Sequence, residues 1–203
     1  MLRMYNKAIE CAESDTMKNY IISNRGAART GIRDFEGAIK DFETALLFDP
    51  NNIGALNNVA TCYAELHMTD KSIDCLKKII SLDPKFTGTY CNLGFIYSAL
   101  DSLDLAISYL NKLLELDPND AIGYNNRGYV YYKKDDFANA LHDINLSIKL
   151  YPTNSYAYRN LALVYIALNK TKEACTSLGY AMNYGFEKRY GSEVSELFLK
   201  YCK

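Results

Sequence analysis

Asp49-Pro50-Asn51-Asn52 and Asp117-Pro118-Asn119-Asp120 are near copies of one another; Asp83-Pro84 lies midway between them, and Tyr151-Pro152 follows. These four prolines are the only ones in the chain, and each stands 34 residues from the next. A fixed period of this length is the mark of a stacked repeat. Proline at the same place in each copy ends a helix, because it lacks the N–H and its ring clashes with the preceding turn. Counting outward from the prolines gives five complete units, 19–52, 53–86, 87–120, 121–154 and 155–188, with Phe186 where the last proline would stand.

The units agree in more than proline. A small residue recurs in the first half (Gly26, Ala60, Gly94, Gly128, Ala162) and another in the second (Ala38, Ser72, Ala106, Ala140, Ala174). Small side chains at fixed places let two helix backbones approach closely. Large residues flank them: Ile22, Leu56, Tyr90, Tyr124 and Tyr158 open the units, and Phe42, Leu76, Leu110, Ile144 and Leu178 lie in the second halves. Tyr63, Tyr97, Tyr131 and Tyr165 follow seven residues after the opening residues of their units, two turns on along the same face. The spacing predicts two amphipathic helices per unit, at about 20–31, 35–48, 54–66, 69–82, 88–100, 103–116, 122–133, 137–150, 156–168 and 171–184.

On these columns the chain resembles the tetratricopeptide repeat family. The resemblance implies an all-α fold, an α-solenoid in which helix-turn-helix repeats stack as a right-handed superhelix around a concave groove. Arg25 and Arg127 depart from the family pattern where an aliphatic residue is usual, and Arg29 where an aromatic is usual. The expectation is a first unit that packs more loosely or meets something acidic. A solenoid must also cover its ends. Residues 1–18 read as the second helix of a partial repeat, though their phase is ambiguous. Residues 189–203 read as a capping helix opened by Ser192, with Val194, Leu197, Phe198 and Tyr201 in one stripe.

One polar column has no exception: Asn24, Asn58, Asn92, Asn126 and Asn160. Asparagine is a mediocre helix former, and its carboxamide pairs a donor with an acceptor as a peptide unit does. In the resembling family this face lines the groove. Packed helices sit about 8–10 Å apart and an extended peptide advances about 3.3 Å per residue, so one asparagine would serve about every third residue of a bound chain. Two other readings of the column stand: shared ancestry of the units, and hydrogen bonds between neighbouring first helices. Specificity would come from residues beside the ladder, among them Phe95, Tyr129, Tyr132, Arg159, Leu163 and Ile166. The aromatic ones either dock an apolar segment between the third and fifth units or pack against adjacent helices.

Other function classes find little footing. Net charge is −1, with both signs interspersed, which argues against nucleic acid. No apolar run has membrane-spanning length. His67 and His142 have no acid or nucleophile in an obvious position beside them, and Asp34, Asp135 and Asp136 read as turn and cap residues. No phosphate loop or metal-ligand cluster appears, so no catalytic site, metal or cofactor is expected. The six cysteines follow no zinc or CxxC spacing and read as small reduced thiols. Reduced thiols and the absence of an apolar run in Met1–Lys7 point to the cytoplasm, a removed secretory leader aside. Members of the family that hold acidic chaperone tails use a two-carboxylate clamp. Its matching positions here read Ser23, Ala27, Asn57, Thr61, Gly88, Asn92, Ile122 and Asn126, so the lysines and arginine of the clamp are missing. The expected role is a non-enzymatic scaffold that binds an extended, partly apolar protein segment, or else a self-associating structural module.

Overall fold

Residues 1–202 are described by a computed structural model, and all the regular structure in them is helical. The helices are α1 (Leu2–Glu10), α2 (Asp15–Gly31), α3 (Phe35–Phe48), α4 (Ile53–Glu65), α5 (Thr69–Leu82), α6 (Thr87–Ala99), α7 (Leu103–Leu116), α8 (Ala121–Lys133), α9 (Phe137–Leu150), α10 (Ser155–Ala167), α11 (Thr171–Asn183), α12 (Phe186–Tyr190) and α13 (Glu193–Tyr201). The chain is an all-α helical-repeat protein of the solenoid class. It divides into two compact units, Met1–Leu93 and Gly94–Lys203. Among the described residues no helix is long and apolar enough to cross a membrane.

Side-chain caps fix several of the helix starts, and one left-handed turn recurs in every hairpin. The first helices are capped by Asn52, Asp120 and Asn154, which accept from Ala55 N at 2.9 Å, Gly123 N at 2.7 Å and Tyr156 N at 3.2 Å. Asp34 and Asp136 cap second helices, accepting from Gly37 N at 3.0 Å and Asn139 N at 3.2 Å. In the turn between the two helices one residue per repeat is left-handed: Arg33, His67, Asp101, Asp135 and Asn169, with φ of 57–62°. This conformation lets the next N–H reach back to the first helix, as in Met68 N to Tyr63 O at 2.8 Å and Asp136 N to Tyr131 O at 3.0 Å.

The small column sits where the helices of a hairpin touch. A Cβ on Gly26 would lie 3.0 Å from the Phe42 ring, one on Gly94 2.6 Å from Leu110, and one on Gly128 2.7 Å from Ile144. The large residue of the second helix thus occupies the space that the missing side chain leaves.

The arginines that break the aliphatic column are satisfied within the fold, which corrects the expectation of a loose first unit or an external acid. Arg25 Nε and Nη2 donate to Asp41 at 2.9 and 2.6 Å, and Arg127 Nε and Nη2 donate to Asp143 at 2.6 and 3.0 Å. Arg29 joins the first pair, with Nη1 3.1 Å from Asp41. Both aspartates are buried on second helices, 16 residues after the arginine. Arg25 Nη1 also donates to Asn6 on α1, as Arg127 Nη1 does to Asn111 on α7.

Four features of the ends differ from expectation. Helix α2 begins at Asp15 rather than near residue 20, because Ser14 accepts from Met17 N at 3.2 Å and starts the helix early. A short helix, α12, follows Gly185, whose φ of 79° turns the chain so that Phe186 becomes buried. Cys175 and Cys202 form a disulfide, so two of the six cysteines are not reduced thiols. Their separation of 27 residues fits no sequence pattern; α12 and α13 fold back on α11 and bring them together. On α13, Val194 is buried against Leu178, Ala181 and Phe186, with Leu197 and Phe198 packed beside it. Ser192 precedes this helix without capping it and instead donates to Glu196 at 2.7 Å.

Candidate functional site

All five column asparagines lie on first helices, α2, α4, α6, α8 and α10, and the structure separates them into different roles. In the amino-terminal unit Asn24 and Asn58 line a cleft of about 540 Å3 between α2 and α4. Their carboxamides make no hydrogen bond among the described residues. Tyr20, Ser23, Phe48 and Asp49 share the lining, and no lysine or arginine does. Asn19 also lines the cleft, and its buried Oδ1 has no hydrogen-bond partner among the described residues. Asn19 and Tyr20 stand outside any repeated column, while Phe48 belongs to a large apolar column with Leu82, Leu116 and Leu150 whose sequence signal is packing rather than a cleft.

Asn92 and Asn160 are tied to the preceding repeat. Asn92 Nδ2 donates to Asn57 Oδ1 at 3.2 Å, and Asn160 Nδ2 donates to Asn125 Oδ1 at 2.9 Å. Asn160 is only 1% exposed, and its Oδ1 accepts from Arg159 Nη1 at 2.8 Å. At this position the carboxamide faces packed interior, so Asn160 is removed from the expected ladder. The partner that decides the matter lies 35 residues earlier. Where an asparagine stands there, as Asn57 and Asn125 do, the column amide is caught. Where Ser23 stands, the side chain is too short and Asn58 stays open.

In the carboxyl-terminal unit a smaller pocket, about 230 Å3, is lined by Phe95, Ala99, Asn126, Tyr129, Val130 and Tyr156 among others. Phe95 stands at 62% exposure, a large apolar ring left in water. Lys133 at the pocket edge donates to Ser98 O at 2.7 Å and pairs with Asp101 at 2.9 Å. The remaining aromatics partly fill the wall themselves. Tyr129 stacks on Tyr132 with centroids 5.9 Å apart, and Tyr132 leans on Phe137 at 6.3 Å. Burial pushes the phenols of Tyr132 and Tyr156 above their ordinary pKa. Leu163 and Ile166 are half-buried and do not line the pocket.

Arg159, expected as a ligand contact, is 9% exposed and bonded within the chain. Its Nε is 3.1 Å from both carboxylate oxygens of Glu193, and Nη2 donates to the same group. The rings of Tyr129 and Tyr156 lie 5.4 and 5.5 Å from its guanidinium carbon. Burial alone would lower the pKa of this group, but the hydrogen bond and charge of Glu193 more than offset it and raise it. Of the two histidines, His67 is exposed in a turn; His142 is exposed too, with Nδ1 3.2 Å from Asp143. No group of three or more His, Cys, Asp or Glu suited to a metal ion occurs among the described residues.

Comparison with known proteins fits this geometry. Three family profiles, each described as tetratricopeptide repeat, match residues 53–86 and 87–120, 121–154, and 144–176. No curated protein matches the chain. Among solved structures, MamA is 26% identical, covering 80% of this chain and 95% of its own, with a TM-score of 0.65. A thermophilic repeat protein of Thermus thermophilus is 20% identical over 91% of this chain and 97% of its own, with a TM-score of 0.76. YrrB, described as a repeat protein with an unusual peptide-binding site, is 19% identical over 97% of this chain and 100% of its own, with a TM-score of 0.63.

Proposed function

The chain belongs to the tetratricopeptide repeat family, and from that membership we propose that it is a non-enzymatic interaction scaffold that holds an extended segment of a partner protein. The observation that carries the reading is the pair of unbonded carboxamides, Asn24 and Asn58, in one cleft of the amino-terminal unit. Each presents a donor and an acceptor that match a peptide unit, and Asn19 Oδ1 beside them is an acceptor in want of an N–H. A cleft with Asp49 and no basic lining residue suits a neutral or basic backbone segment and disfavours an acidic tail. Within the carboxyl-terminal unit, the pocket beside Phe95 and Tyr129, with Asn126 at its wall, suits one apolar side chain.

The test is a peptide-library screen on the intact chain, followed by fluorescence polarisation with the selected peptides. Replacing both Asn24 and Asn58 with alanine is expected to weaken binding about tenfold to a hundredfold, at about 1 kcal/mol per hydrogen bond lost. Phe95→Ala is expected to lose selectivity for apolar residues in the peptide. Unchanged affinity in the double variant, with helicity intact, would overturn the reading.

A further inference from the structure

Arg159 is the one basic residue that is buried among the described residues. A guanidinium beside the rings of Tyr129 and Tyr156, with Nη1 bonded to Asn160, keeps Nε and Nη2 for a carboxylate. The carboxylate here comes from the chain itself: Glu193, the first residue of α13, takes Nε and Nη2. Glu193 is 45% exposed at the side chain, so the pair sits at the edge of the site rather than sealed inside. A nine-residue helix is marginal in water by itself. It is held down by the stripe of Val194, Leu197 and Phe198 and, at its far end, by the Cys175–Cys202 disulfide to α11. Both cysteines are only half-buried, within reach of an external thiol.

We propose that α13 is a disulfide-latched strap that carries Glu193 into a carboxylate-binding site centred on Arg159, and that opening the Cys175–Cys202 bond frees the site for an acidic side chain or chain terminus of a partner protein. Opening is a two-electron exchange with a dithiol. One thiolate attacks Cys202 or Cys175 Sγ, the protein S–S bond breaks, and the second thiolate resolves the mixed disulfide. The two cysteines gain two electrons and two protons, and the dithiol becomes a disulfide. With the latch closed, Glu193 is kept at high local concentration and excludes a competing carboxylate. With it open, only the apolar stripe and the ion pair retain the helix. Asn24 and Asn58 take no part in the strap, and variants of their cleft leave it untouched.

Hydrogen exchange of the full chain tests the latch, comparing the oxidised form, the form reduced with dithiothreitol, and Cys202→Ser. Amides of Glu193–Tyr201 are expected to exchange about a hundredfold faster in the latter two, with α8 to α10 still protected. A labelled synthetic peptide of residues 191–201 then tests the site, against full chain carrying Cys202→Ser and Glu193→Gln, whose own strap no longer supplies the carboxylate. It is expected to bind that variant at least tenfold more tightly than the oxidised wild type, and to lose at least tenfold when the peptide itself carries Glu193→Gln. Equal exchange of α13 in all forms would overturn the latch. So would exchange of α8 to α10 rising together with α13, since the disulfide would then hold the whole unit. Peptide binding indifferent to Glu193→Gln would overturn the carboxylate site.

Discussion

Asn58 on α4 and Asn160 on α10 stand at the same position of their repeats, three periods apart, yet their surroundings are opposite. Asn58 opens into a cleft beside Asn24. Asn160 is buried and bonded to Asn125 and to Arg159, whose guanidinium is in turn held by Glu193 of α13. The amino acid and the helix position are equal, so the difference lies in the neighbours: Ser23 against Asn125 one repeat earlier, and α13 one repeat later. A repeat column therefore does not define a function; the residue 35 positions upstream decides whether the amide is used for packing or left for a ligand.

The largest expected effect concerns the one place where the amino-terminal unit is the more internally committed. Asp41→Ala leaves Arg25 and Arg29 without their buried carboxylate and should cost about 3–5 kcal/mol. Asp143→Ala strands Arg127 alone and should cost less; urea unfolding of both variants measures the gap. Next comes the staple. Cys202→Ser should lower stability by about 3–4 kcal/mol, from the closed loop of 27 residues. The loss should appear as faster exchange of α13, with α8 to α10 still protected. Ser23→Asn converts the open site into the closed type, giving Asn58 the partner that Asn57 gives Asn92. It should stabilise the chain by about 0.5–1 kcal/mol while weakening peptide binding about tenfold. The smallest effect is in the turns. His67→Gly relieves a left-handed conformation and should gain about 0.5–1 kcal/mol in thermal unfolding. Asn169→Gly should gain less, because asparagine tolerates that region better.

The repeat frame was legible in the sequence because it depends on local rules. Proline ends helices, and a small residue opposite a large one lets helices close, as Gly94 meets Leu110 and Gly128 meets Ile144. The arginine pairs were legible in principle, since Arg25 and Asp41 share a 16-residue spacing with Arg127 and Asp143, but charges on two different helices are paired only once the hairpin geometry is known. The identical column of asparagines concealed two environments, because each amide's partner lies on another repeat. The Cys175–Cys202 bond had no sequence signal, for it depends on Gly185 turning the chain and on α12 bringing α13 back over α11.

The most direct measurement is a matched pair of variants, Asn58→Ala and Asn160→Ala, each taken through urea unfolding and peptide binding. Asn160→Ala is expected to lose about 1–3 kcal/mol of stability, since it strands the buried Asn125 carbonyl and an Arg159 N–H. Asn58→Ala is expected to change stability by less than about 0.5 kcal/mol and to weaken binding instead. Equal stability losses at the two positions, or a binding loss confined to Asn160→Ala, would contradict the account.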